Sequence, residues 1–270
     1  MNSLLELFPD RDFRLHLTLR KGEPSEFFQA ADASGRLQEE RRRWLTTDPE
    51  KYSALRPAAV PLFCEFLECC AAWKLMNVPP IEATDVGLRE IGALLEPDLL
   101  FVSPDQAGEF RLEGGVLCFP TGWALRERLS HALDSIHGVV PGLNPTLGVQ
   151  ISQFLSRLKP GVAFHRDNWG IVASDELNYH PSRGLPPPVL PVQLSSLWLR
   201  VEHQAFMALP KSGGVVFGIR ISRHRLDECA RQPGVAAGLA RELETMPVPM
   251  AVYKRLDAVR HSLVAALRAS

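Results

Sequence analysis

Two alternating runs on either side of a turn cluster constrain this chain more than any other feature. In Leu197–Arg220, LWLRVEHQAFMALPKSGGVVFGIR, the turn-forming residues Pro210, Lys211, Ser212 and Gly213 separate two β-type segments. That arrangement predicts a β-hairpin. Leu197, Leu199 and Val201 alternate with Trp198, Arg200 and Glu202, and on the return Val215, Phe217 and Ile219 alternate with Val216, Gly218 and Arg220. Successive side chains of a strand point to opposite faces, so each run has one apolar and one mixed face.

A turn centred on Lys211 sets Glu202 opposite Arg220 and Gln204 opposite Gly218. An acid facing a base is then either a structural cross-strand ion pair or a pair lining a cavity. In the second reading, Gly218 lets a flat ligand approach the backbone. The hairpin leaves both readings open.

The remaining chain gives this hairpin an ordinary setting. At 270 residues it is long enough to bury a substantial interior, and 46% hydrophobic with 23% charged residues is a globular composition. Thirty basic and thirty-one acidic side chains nearly cancel. No basic field or recognition motif points to nucleic acid. The first residues lack signal-peptide character and no apolar run has membrane-spanning length, so a cytoplasmic location without membrane contact is expected. Cys64, Cys69, Cys70, Cys118 and Cys229 form no CxxC pair. The first three fall in a helical pattern where buried, reduced thiols are expected, and a structural zinc site is not.

Along the chain, Phe13, Leu15, Leu17 and Leu19 alternate with Arg14, His16, Thr18 and Arg20, which predicts a strand with a solvated His16. Asp48-Pro49 offers helix-start chemistry, and Val60–Met76 carries a helical apolar stripe that Pro79-Pro80 should end. Asp85–Leu95 reads as a further short helix. Leu99–Pro120 contains three β-type runs, LLFVS, EFRLE and GVLCFP, and predicts a meander. Trp123–Ile136 reads as a helix with Leu129, Leu133, Ile136 and then His137 on one apolar face. A helix from Asn144-Pro145 to Pro160-Gly161, a strand over Val162–Val172 and an irregular surface excursion over Asn178–Pro191 follow. Leu226–Gln232, Val235–Met246 and Met250–Leu267 read as helices. The sum is α+β: an antiparallel sheet of five or six strands with flanking helices.

Several segments, in order, resemble one family, the heme-dependent oxidative N-demethylases and their relatives. They are Cys118-Phe119-Pro120 with Trp123, Ile136-His137 with Val140-Pro141-Gly142, Arg166-Asp167-Asn168-Trp169, Leu197–Glu202 with Gln204, Leu209–Gly213 with Phe217–Arg220, and Tyr253-Lys254. Gly138-Val139 and Gly170 depart from the family pattern without removing a chemical group.

The resemblance implies a PAS-like fold binding heme b, in a single domain. Its core covers about residues 97–222, with an N-terminal strand and helical extension over 1–96 and C-terminal helices over 223–270. It also implies oxidative demethylation of a small secondary or tertiary amine such as dimethylamine. Dioxygen is consumed, electrons come from external flavin and iron–sulfur partner subunits, and a hemiaminal collapses to aldehyde. No nucleotide-binding or iron–sulfur motif is visible in this chain.

On this resemblance His137 is the expected axial iron ligand, with His131 and His165 as competitors. Glu202 is expected to receive the substrate ammonium, with Arg220 holding it ionised or polarising bound oxygen. Arg166 and Arg200 are candidate propionate partners, and Trp169, Trp198, Phe217 and Gly218 candidate porphyrin neighbours. Two alternatives stay open: a non-catalytic heme- or ligand-binding PAS-like sensor, and a relative that has lost heme. Substrate and oligomeric state are not set by these residues.

Overall fold

The hairpin forms, one register step away from the expected one. The computed structural model describes residues 4–32, 35–75 and 81–270. It pairs β6 (Trp198–Ala208) with β7 (Val215–Arg225) so that His203, not Glu202, stands opposite Arg220. Glu202 faces Ile221, Gln204 faces Ile219 and Ala205 faces Gly218. The turn explains the shift. Leu209 N donates to Gly214 O at 2.8 Å and Gly213 takes φ +69, so the loop is centred between Lys211 and Ser212. Glu65, on the Val60–Ala72 helix, accepts from Lys211 N, from Ser212 N at 3.1 Å and from Ser212 Oγ at 2.5 Å. A side chain from a distant helix thus selects the turn. The slip moves Glu202 and Arg220 to opposite faces of the sheet.

Around the hairpin runs a seven-stranded antiparallel sheet in the order β1-β5-β6-β7-β3-β4-β2. The outer members are β1 (Arg20–Gly22), β2 (Ser53–Leu55), β3 (Asp98–Pro104), β4 (Phe110–Val116) and β5 (Ala163–Val172). Each face has its own cover. On the face of His203, the N-terminal half packs Phe27, Phe28, Phe63, Phe66, Leu88 and Ile91 against Leu99, Phe101, Ala205 and Val216. The C-terminal helices pack Leu239, Leu243, Met250 and Leu263 against Trp169, Ile171, Leu199 and Val201. On the face of Glu202, the Leu143–Ser156 helix lays Leu147, Ile151, Phe154 and Leu155 over Phe206, Phe217 and Ile219. Phe206 and Phe217 stack at 4.7 Å, an arrangement worth about 1 kcal/mol beyond burial.

Elsewhere tertiary contacts override local pattern. The alternating Asp12–Arg20 segment forms no strand before Arg20, and Phe13 N donates to Thr245 Oγ1 at 2.8 Å. His16 is half-buried rather than solvated. The third run of the expected meander turns away after Val116, because Cys118 N and Phe119 N donate to the buried Asp98 at 2.8 and 3.0 Å. Trp123–Ile136 is helical only in its last turn, Leu133–His137. Ser130 N donates to Leu112 O and Leu112 N to His131 O, drawing that stretch onto the edge of β4. Ser130 takes φ +64 there. The Asn178–Pro191 excursion contains fully buried Asn178 and nearly buried His180, so it is not wholly surface. The last expected helix divides into Val248–Tyr253 and Arg260–Arg268, with Arg255 at φ +58 between them. Cys64 is exposed rather than buried, and all five thiols are free. Met76 and the Pro79-Pro80 stop lie outside the described residues. No described helix is long and apolar enough to cross a membrane.

Candidate functional site

Two neighbouring strands raise a polar cluster on the Glu202 face. Gly170, Asn168 and Arg166 of β5 stand opposite Arg200, Glu202 and Gln204 of β6, so Asn168, Arg166, Arg200, Glu202 and Gln204 project from one side. Glu202 is half-buried and held by three neutral donors. It accepts from Thr121 Oγ1 at 2.5 Å, Gln204 Nε2 at 2.9 Å and Asn168 Nδ2 at 3.3 Å.

Arg200 is the deepest member, 1% exposed. Its Nε donates to Thr121 Oγ1 at 3.1 Å and its Nη2 to Phe119 O at 2.8 Å. Both acceptors come from the Cys118–Thr121 segment, which Asp98 holds by the two backbone bonds described above. Asp98 is in turn anchored by Arg41 Nη1 at 2.9 Å, both side chains having no solvent exposure. Removing one member of such a buried pair costs about 3–5 kcal/mol, so this bridge sets the position of Thr121 and Arg200 firmly. Burial pushes the Arg200 guanidinium down to about 10, which leaves it charged near neutrality.

Two donors in the cluster lack acceptors among the described residues. Arg200 Nη1 is buried with no hydrogen-bond partner. Arg166 makes no side-chain hydrogen bond or ion pair with the other described residues; burial lowers its pKa, opposed most by the charge of Glu202. His137 ends the Leu133–His137 helix at the margin of this face, half-buried and without a ring hydrogen bond among the described residues. Burial, and then the charge of Arg166, lower its pKa and favour the neutral imidazole that coordinates metal. Lys254, its amine pushed down to about 8 by burial, donates to Trp169 O at 2.5 Å beside the same cluster.

The chain matches the family model described as "Haem-dependent oxidative N-demethylase, alpha subunit-like" over residues 75–264, well over half its length. It belongs to that family. The family is named for haem dependence and for likeness to an alpha subunit, which implies heme and further subunits for its characterised enzyme. The residues on the Glu202 face fit such a group. A neutral histidine can serve iron, and an orphaned, buried guanidinium nitrogen together with an unpaired Arg166 can serve carboxylates that the protein does not supply. Among the described residues no three His, Cys, Asp or Glu side chains converge as a metal site.

The structure divides the residues that the sequence grouped. Glu202, Arg166, Arg200, Trp198 and Phe217 share one face, and the helix that ends at His137 packs on it through Leu133 and Ile136. Arg220, Gly218 and Trp169 lie on the other. Arg220 pairs with Glu96 at 2.9 Å and lies over the Phe27 ring, so the expected Glu202–Arg220 pair does not exist. A Cβ at Gly218 would come within 2.7 Å of both Phe27 and Phe28, so its small size admits core aromatics rather than a ligand. Trp169 packs on Phe8 under the cation of Lys254. His165 lies against Phe27 on that same far face, and His131 is exposed. Thr121 was missed by sequence reasoning. Only its proximity to the Cys118-Phe119-Pro120 segment could have signalled it.

Proposed function

We propose that this chain is the heme-b-binding subunit of an amine-oxidising N-demethylase, with the Glu202 face as its PAS-like ligand-binding surface. Its core would span about residues 97–222 between N- and C-terminal extensions. The observation that carries this reading is the pair of arginines with unused donors, Arg200 and Arg166, on the face that also holds Glu202. Bound there, heme supplies dioxygen activation and oxidation of the carbon beside an amine nitrogen. His137 holds the iron. Arg166 and the free nitrogen of Arg200 take propionates, while Trp198 and Phe217 supply apolar surface. Glu202 receives a small secondary ammonium, positioned by Thr121, Asn168 and Gln204, which orient its two oxygens. Electrons arrive from flavin and iron–sulfur partner subunits.

The test is the absorbance spectrum of protein produced with ample heme, followed by aldehyde measurement with dimethylamine, dioxygen and an artificial reductant. A b-type spectrum with amine-dependent aldehyde is expected. Absence of heme overturns the reading, and heme without aldehyde replaces it with a non-catalytic sensor.

A further inference from the structure

The His203 face carries a second polar cluster that the heme-site reading leaves unused. Across β5 and β6, Asp167 stands opposite His203, and Asp167 Oδ1 lies 2.7 Å from His203 Nδ1. On the far side of that ring, His203 Nε2 lies 2.9 Å from Ser222 Oγ. Ser222 Oγ also lies 3.1 Å from His224 Nε2. Arg20 takes the other oxygen of Asp167 at 3.0 Å. Accessibility increases along the series: the side chain of Asp167 is 7% exposed and that of His203 12%, while Ser222 is half-buried.

The hydrogen positions follow from the partners. Burial pushes the Asp167 carboxyl up, but hydrogen bonds from His203 and Arg20 bring it below the usual range, so it is an ionised acceptor. It therefore takes the Nδ1 hydrogen of His203. In the neutral ring this leaves Nε2 bare, an acceptor for the Ser222 hydroxyl. The Ser222 oxygen can then accept from His224 Nε2. This is the arrangement of a serine whose proton has a ready base, with the base oriented by a buried carboxylate. Two further observations bear on a ligand. Arg220 stands opposite His203 in register and two residues from Ser222, and its Nε is buried without a partner among the described residues. Pairing of β3 with β7 ends at Ile219, so among the described residues no strand borders the outer edge of β7 beside Ser222.

We propose that Asp167, His203 and Ser222 form an acyl-transfer centre, separate from the heme face, that takes short-chain carboxylic esters. Ser222 Oγ forms a bond to the carbonyl carbon as its proton passes to His203 Nε2. Arg220 Nε donates to the carbonyl oxygen as negative charge develops on it. The bond to the alkoxy group breaks, and that group leaves as an alcohol with the proton from His203. Water, losing a proton to His203, then cleaves the acyl–Ser222 ester, and the carboxylic acid departs while Ser222 regains its hydrogen. No oxidant or reductant is consumed.

The test treats the full purified chain with a fluorophosphonate probe and locates the adduct by peptide mass spectrometry. The expected adduct is on Ser222 alone, with p-nitrophenyl acetate hydrolysis above buffer. Ser222→Ala should abolish both while leaving the heme spectrum unchanged, which separates this centre from the heme site. His203→Gln should slow labelling about a hundredfold or more, the usual contribution of a general base. The wild-type chain provides a check that needs no variant: p-nitrophenyl acetate should leave an acetyl group on Ser222. A folded protein with no adduct at Ser222 overturns the proposal. So does labelling that is indifferent to His203→Gln, or a Ser222→Ala variant that melts lower but hydrolyses the ester as before.

Discussion

Glu202→Gln isolates the charge of the amine-recognition group from its shape. A carboxylate offers about four lone-pair positions, and Thr121, Gln204 and Asn168 occupy three of them, leaving one for an incoming ammonium. The amide can keep the protein contacts. Its oxygen accepts from Gln204 and Asn168, and its NH2 group donates to Thr121 Oγ1 once that hydroxyl turns. Thr121 Oγ1 already accepts from Arg200 Nε, and a hydroxyl oxygen has a second lone pair for this. Because the site is half-buried, the Thr121 hydroxyl hydrogen released from Glu202 can turn to water, and folding stability should change by no more than about 1 kcal/mol. The ammonium, in contrast, loses a charge-assisted bond worth about 1.5–3 kcal/mol, a roughly ten- to hundredfold loss of affinity. Dimethylamine titration of the heme absorbance measures the affinity, and thermal melts on the same samples measure the stability. Unchanged amine affinity in a folded, heme-loaded Glu202→Gln protein would refute the role given to this carboxylate.

Three other outcomes are expected. His137→Ala should lose heme or shift its spectrum, and an unchanged spectrum would move the ligand role to another residue. Gly218→Ala should lower stability by about 1–3 kcal/mol through collision with Phe27 and Phe28, measured by urea denaturation, with heme content per folded molecule unaffected. Glu242, 7% exposed, has its carboxyl pushed up by burial to about 7 from 4.5. A folded pKa above the unfolded one means stability that is present below about pH 4.5 and lost as pH rises to about 7. Glu242→Gln should therefore melt higher than the parent at pH 8, by up to about 3 kcal/mol in stability, and match it near pH 4. An equal difference at both values would refute the buried-charge account.

Much of the architecture was legible because it rests on short-range periodicity. The alternation in Leu197–Arg220 and in Val162–Val172 produced β6, β7 and β5, and the apolar stripes produced the Val60–Ala72 and Leu143–Ser156 helices. The ordered segments from Cys118 to Lys254 led to the right family. Where an alternating segment lacked a partner, as before Arg20, or where a helical pattern was drawn to the edge of β4, as before Leu133, local pattern and final structure parted.

The membership of each face could not be read in this way. Strand side chains repeat every two residues, so a turn centred half a residue later moves Arg220 and Gly218 away from Glu202. That centre depends on Glu65, nearly 150 residues earlier in the chain, accepting the N–H groups of Lys211 and Ser212. The same holds for Asp98, whose carboxylate carries Thr121 to Glu202, and for Asp167, His203 and Ser222, which come from three strands. By itself the sequence determined the central strands, most of the helices, the family and which residue types were available for chemistry. Only the tertiary structure decided which of them meet, because register and side-chain hydrogen bonds depend on groups far apart in the chain, which periodicity does not encode.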